Sequence, residues 1–243
     1  MDRFMNWLTG VGDAIVAWFV EFGETFHKCF IREDRYLLLL DGIGVTIKVS
    51  ILAAILGLII GFLIAICSLS KKKGLRLFGK IYTDIIRGTP SVTQLMIIYF
   101  VVFASVHWEK WIIAAIAFSI NSGAYVSEII RAGILSIDKG QTEAGRSLGL
   151  TSSQTMFYIV IPQAVKNIFP AMCNEFITLI KETAIVGYVG LVDIQKAGDF
   201  IKSATYQAFM PLIGTAIIYF VLIKILTTVL GNIEVRLRKS DIR

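Results

Sequence analysis

The chain has 243 residues, 56% hydrophobic and 17% charged, with a mean hydropathy of +0.72. That is too apolar for an ordinary soluble domain, and four prolines without low-complexity runs exclude long linkers. The net charge of +6 does not require nucleic acid, because basic residues also collect in cytoplasmic loops, and three cysteines without a C-x-x-C spacing indicate neither a disulfide framework nor a metal site.

The N-terminus lacks a basic n-region and a small-x-small cleavage site, so no removable signal peptide is expected. Residues 4–30 place Leu8, Val11, Ile15, Phe19, Phe22, Phe26 and Phe30 at steps of three and four, interrupted by Asp13, Glu21, Glu24 and Lys28. This pattern predicts an amphipathic helix lying at the interface rather than a span. The first span is expected over about Gly44–Leu69, where Ile51–Cys67 is unbroken in apolar residues and glycine. It contains Gly57 and Gly61, a close-packing pair for neighbouring helices. A basic loop follows with Lys71, Lys72, Lys73, Arg76 and Lys80.

A second span is expected over about Pro90–Val106 and a third over about Trp111–Leu135, joined as a hairpin through an exposed loop holding His107. The fourth runs over about Asn167–Val189. A polar loop then reaches Met210, and a fifth span covers Pro211–Leu230. Fourteen Lys and Arg lie in the 71–90 loop, the 131–167 segment and the tail, against seven in the N-terminal 43 residues and the other two loops. The bias places the N-terminus outside and the C-terminus in the cytoplasm.

One cytoplasmic stretch, Glu143–Pro162, is polar and capped. Asp138 with Gln141 three residues on predicts an N-cap with its N3 partner, Gly149 a left-handed stop after Leu148, and Thr151 with Gln154 a capping box. Pro162 predicts an end or a kink. The apolar Leu148, Leu150, Met156 and Phe157 in such a position point to a protein partner.

This stretch resembles the EAA loop of ABC-transporter permease subunits, E-A-A-x3-G-x9-I-x-L-P, with Glu143, Ala144, Gly149, Ile159 and Pro162 at matching positions. Gly145 replaces the second alanine and Ile161 the leucine. Arg87-Gly-Thr-Pro90 with Gln94 and Tyr99-Phe100, Ala124-Tyr125 with Ser127-Glu128 and Arg131, and Asn174-Glu175-Phe176-Ile177 with Lys181 resemble motifs of the polar amino acid uptake branch (histidine/glutamine/arginine-type permeases). Asp138 stands where that family usually has proline. The resemblance implies an all-α integral membrane protein with five transmembrane helices plus an N-terminal amphipathic interfacial helix, the type I ABC importer permease fold. The expected divisions are an interfacial segment at 1–34, the transmembrane domain at 35–235 with its EAA loop at 138–162, and a basic tail at 236–243.

The implied function is that of the membrane-spanning subunit of an ATP-driven amino acid importer in the cell membrane. Its partners would be a separate ABC ATPase, a second permease subunit (identical or related), an external amino acid-binding protein and membrane lipid. Glu143, Ala144 and Gly149 would couple to the ATPase, which alone binds ATP and Mg; this chain needs no cofactor. Its nearest Walker A pattern, Gly74-x4-Gly79-Lys80, has Ile81 where Ser or Thr would hold the metal, and no strand precedes it.

Ionisable residues at membrane depth face partners or a water-filled path. Glu175, Thr178 and Glu182 share a helix face, with Lys181 beside it. A zwitterionic amino acid offers an ammonium to the acids and a carboxylate to the lysine, and Thr89 and Gln94 complete the expected substrate site. Two acids against one lysine favour cationic substrates such as arginine, lysine, histidine or ornithine. Glu128 and Arg131, three apart, read as a structural pair. The rival reading is an ion-coupled secondary amino acid transporter or channel, which needs no ATPase and would tolerate changes in 143–162.

Overall fold

The structure is a computed structural model describing residues 2–239, with side chains over residues 10–236 except Val11. The expectations at Leu8 and Val11, and at Arg238 and Lys239 of the tail, lie outside the described side chains. The described residues are helical and contain no strand.

Helix α1 covers Asp2–Phe26 and presents Ile15, Trp18, Phe19, Phe22 and Phe26 as exposed apolar side chains. It ends in a π turn, His27–Ile31, and a left-handed corner at Glu33 (φ 60°) and Asp34 (φ 50°). Arg35 closes the corner, donating to Lys28 O and Glu33 Oε2, each at 2.7 Å. Cys29 and Phe30 are buried among Leu39, Ala197, Ile201 and Met210, which ties this corner to the main bundle.

Helix α2, Tyr36–Leu69, is the long organising span. Its buried face runs Gly42, Thr46, Val49, Ala53, Gly57, Gly61, while Ile51, Ile55, Leu58, Ile59, Phe62 and Leu63 point outwards. Small residues let the backbones approach where lipid supplies no hydrophobic drive between helices. The expected Gly57/Gly61 pair does so against helix α5, Lys110–Leu135. A Cβ on Gly61 would run into the Val126 side chain, and one on Gly57 would lie 3.2 Å from Ser122 Cβ.

Several segments expected to be loop or shorter helix differ. The basic 71–90 stretch is helical as α3, Lys73–Arg87, because Leu75, Phe78, Ile81 and Ile85 recur at helical spacing opposite its charges. It meets α4, Ser91–Ile97 with its π extension Ile98–Val102, at a 103° bend over Gly88–Pro90. The expected 190–210 loop is mostly helix α9, Ile194–Thr205. Its start is fixed by Asp193, whose carboxylate accepts from the N–H groups of Gln195 (3.1 Å) and Lys196 (3.0 Å) and from Tyr219 Oη (3.0 Å). The fourth span begins near Ser152 rather than Asn167, as described below. The final helix, α10, Phe209–Lys239, overruns the predicted Pro211–Leu230 at both ends.

Among the described residues four helices are long and apolar enough to cross a membrane, and five if α3 with α4 forms one broken span; α1 is not among them.

Candidate transport site and coupling segment

The polar segment folds as its caps predict, with one change. Helix α6, Lys139–Ser147, starts on Asp138, whose side chain accepts from Gly140 N–H. Gln141, the expected N3 partner, instead accepts from Gln163 Nε2 at 3.2 Å, which fastens α6 to the helix that follows. Gly149 (φ 87°) closes α6: its N–H goes to Arg146 O and that of Leu150 to Gly145 O, the paired bonds of a Schellman motif. Helix α7, Ser152–Thr155, begins with both halves of the capping box, Gln154 N–H to Thr151 Oγ1 (3.2 Å) and Thr151 N–H to Gln154 Oε1 (2.8 Å).

Pro162 does not end this second helix. A π segment, Met156–Val160, precedes it, and α8, Ile161–Glu182, continues directly. Proline has no N–H for the Tyr158 carbonyl and its ring crowds that oxygen, so the extra residue of a π turn absorbs both faults. Residues 152–189 thus form one long helical element reaching the membrane, and the second half of the polar segment is its first turns. Glu143, Ala144 and Gly149 are all exposed on α6 and its turn. Beside them Leu148 is 81% exposed and Phe157 69% exposed. This is an apolar tip on a rigid, doubly capped corner.

Two polar networks meet on consecutive residues of α5. Gln94 Nε2 donates to Ile86 O (2.7 Å), Thr89 O (3.1 Å) and Thr89 Oγ1 (2.6 Å), and its Oε1 accepts from Asn121 Nδ2 at 2.9 Å. Gln94 and Thr89 are therefore brought together, and both brace the 103° bend. The next residue, Ser122, donates a 2.7 Å hydrogen bond to Glu175 on α8. Glu182 is half-buried two turns further on, and Lys181 is exposed. Among the described residues no ion pair within 4.0 Å joins Lys181 to either acid, and Lys181 acts on Glu182 only at longer range.

Glu128 and Arg131 do pair, through contacts of 3.0 and 2.8 Å, with Arg87 3.8 Å away and stacked over the Tyr125 ring. Asn121 and Ser122 carried no predicted role. They sit 27 and 53 residues from their partners, and no spacing rule connects such positions. The only sequence signal for them is their polarity within an apolar helix.

Comparison with known proteins identifies the family and the fold. The family described as "Binding-protein-dependent transport system inner membrane component" matches residues 57–239. GlnP of Rickettsia bellii, assigned to glutamine transport, is 43% identical over 205 residues, covering 84% of this chain and 94% of its own. The arginine transport system permease protein ArtQ of Bacillus subtilis gives the same figures, 43% over 205 residues, 84% and 94%. The crystal structure of an amino acid ABC transporter with histidines has a chain 41% identical, superposing with a TM-score of 0.78 over 85% of this chain and 98% of that one. A methionine ABC transporter, MetNI, shares the fold at 20% identity and a TM-score of 0.71. The chain belongs to the binding-protein-dependent transport-system inner-membrane components: it is a multi-pass permease subunit of the amino acid ABC-importer type, with ATP hydrolysis left to a separate chain.

Proposed function

We propose that the chain lines the pathway of an importer that prefers cationic amino acids, with Glu175 and Glu182 receiving positive charge and Lys181 the substrate carboxylate. The observation that carries this reading is the Glu175–Ser122 bond, a carboxylate held in fixed geometry inside a span without a cation beside it. Thr89 and Gln94 supply the polar edge of the same site at the break before α4, the kind of irregular backbone that spanning segments keep where protein or a water-filled path surrounds it. A relative assigned to arginine supports the preference, while those assigned to glutamine fit a neutral polar substrate.

The apolar tip around Leu148 and Phe157, with Glu143, Ala144 and Gly149, is the proposed ATPase contact, lying in the cytoplasm with the C-terminus. A second permease copy or relative completes the pathway, and a binding protein delivers substrate from the side of the N-terminus. ATP-driven approach of two ATPases would bring two such tips together and reverse the access of the site. The N-terminal segment up to residue 34 lies along the interface, held to the bundle at Cys29 and Phe30. The deciding experiment is uptake by the reconstituted importer of arginine, glutamine and glutamate in parallel. Arginine favoured at least about tenfold (roughly 1.4 kcal/mol) supports the charge assignment, and equal uptake of arginine and glutamate overturns it.

A further inference from the structure

We propose that the polar cavity under α3 binds the phosphate of an anionic membrane phospholipid. The cavity, about 340 Å³, is lined by Arg76, Lys80, Asp84 and Arg87 of α3 and by Glu128 and Arg131 of α5. That volume is at the lower end of small-molecule sites (about 300–1,000 Å³). Four cations face two acids. Glu128 is already engaged by Arg131 and approached by Arg87, whereas Arg76 and Lys80 have no acidic partner within 4.0 Å among the described residues. The cavity therefore retains unspent positive charge and donor groups suited to phosphate oxygens.

The position of the cavity selects a lipid source. On the side of α3 away from these charges, Leu75, Leu77, Phe78, Ile81 and Ile85 are 43–58% exposed. We place this amphipathic helix, which meets α4 at the 103° bend of the broken span, at the cytoplasmic membrane surface with its apolar side in the acyl region. Its polar side, and the cavity with it, is then at headgroup depth. A lipid there would set its phosphate between Arg76 and Lys80 and its chains beside the apolar side of the helix. A basic pocket between helices at this depth is the form taken by headgroup sites. The proposal does not depend on which amino acid is transported or on the roles of Glu175 and Glu182.

The test is native mass spectrometry of the full chain, purified in neutral detergent with its copurifying subunits. It is titrated with dioleoyl-phosphatidylglycerol, dioleoyl-phosphatidylcholine or inorganic phosphate. Phosphatidylglycerol is expected to bind selectively. Arg76→Gln with Lys80→Gln should weaken it about thirtyfold, at the strength of two basic residues near an anionic headgroup. Asp84→Asn should tighten it about fivefold, an opposite effect that misfolding cannot imitate. Lys71→Gln with Lys72→Gln, exposed and outside the cavity lining, should leave it unchanged. Equal binding of phosphatidylcholine, unaltered affinity in the Arg76/Lys80 variant, or weaker binding by Asp84→Asn overturns the proposal. Binding of inorganic phosphate as tight as that of the lipid overturns the lipid source.

Discussion

Gly145 lies against Thr155 across the two arms of the coupling corner: a Cβ built on the glycine would sit 2.8 Å from Thr155 Cγ2 and 3.1 Å from its Oγ1. Ile159 Cδ1, at 2.7 Å, also intrudes but is the free end of a flexible side chain. Glycine at the second alanine of the loop pattern is thus the counterpart of a buried threonine opposite, and both are buried while most of their neighbours are exposed. Restoring the pattern with Gly145→Ala should destabilise the corner by about 1–3 kcal/mol through overpacking. Adding Thr155→Ser, which removes the intruding methyl, should recover most of that loss. A double-mutant cycle on thermal melting of the purified protein measures the coupling; simple additivity would show that the two residues do not press on each other.

Gly149 contributes in another way. Nothing lies within 4 Å of its missing Cβ, so space is available, but φ is 87°. A β-branched residue there carries a backbone cost of about 1–3 kcal/mol and is expected to undo the two hydrogen bonds that end α6. Gly149→Val should leave the protein in the membrane and abolish ATP-driven uptake, whereas Gly149→Asn, which tolerates the left-handed region, should retain much of it. Uptake and ATPase activity measured on the same proteoliposomes decide this: normal values of both for the valine variant would remove the coupling role from this turn.

The coupling corner was legible because caps are local. Asp138, Thr151, Gln154 and Gly149 act within three or four residues, and each stands as its spacing implies. Pro162 left an end or a kink open for the complementary reason, and only the end is ruled out. Its helix-breaking chemistry is also local, but a π turn upstream absorbs it, and a π turn has no sequence signature of comparable strength. The 190–210 stretch looked like a loop because Lys196, Asp199 and Lys202 dilute its hydropathy. The helix there is anchored by Asp193 meeting Tyr219 of α10, a contact invisible along the chain. The candidate site divides the same way: Glu175, Thr178 and Glu182 share a face by helical geometry, but Asn121 and Ser122 enter only through tertiary contact.

The Ser122–Glu175 bond separates charge from positioning. If Glu175 receives a cationic group, Glu175→Gln should lower arginine uptake by at least about tenfold while preserving the volume of the side chain. Ser122→Ala removes only the donor that orients the carboxylate, and a single hydrogen bond to a charged group is worth about 1.5–3 kcal/mol at most. Its effect should fall mainly on the apparent KM for arginine, with the fold intact. Parallel uptake kinetics of the two variants provide the test, and an arginine KM unmoved by either change would take Glu175 out of the site.

Asp193 should control stability rather than transport. Its side chain is fully buried, caps α9 through two backbone N–H groups and accepts from Tyr219, while Gly42 of α2 closes over its backbone so tightly that a Cβ would lie 2.7 Å from the Asp193 carbonyl carbon. Burial pushes the carboxyl above its ordinary range, and the backbone and Tyr219 donors only partly offset this. A raised value means that the folded chain holds the proton more tightly than the unfolded one. The contribution of the group to stability is then full at acid pH and declines as pH rises from the ordinary carboxylate range through the raised value. Asp193→Ala, which leaves those donors unmet, should cost about 2–4 kcal/mol at acid pH, and less as pH rises through that window. Asp193→Asn keeps an acceptor and cannot ionise, so the advantage of the wild type over it should shrink as pH increases across that window. Melting curves of the two proteins from pH 4 to pH 8 check the sign, and an advantage that grows with pH would mean that the donors outweigh burial at this carboxylate.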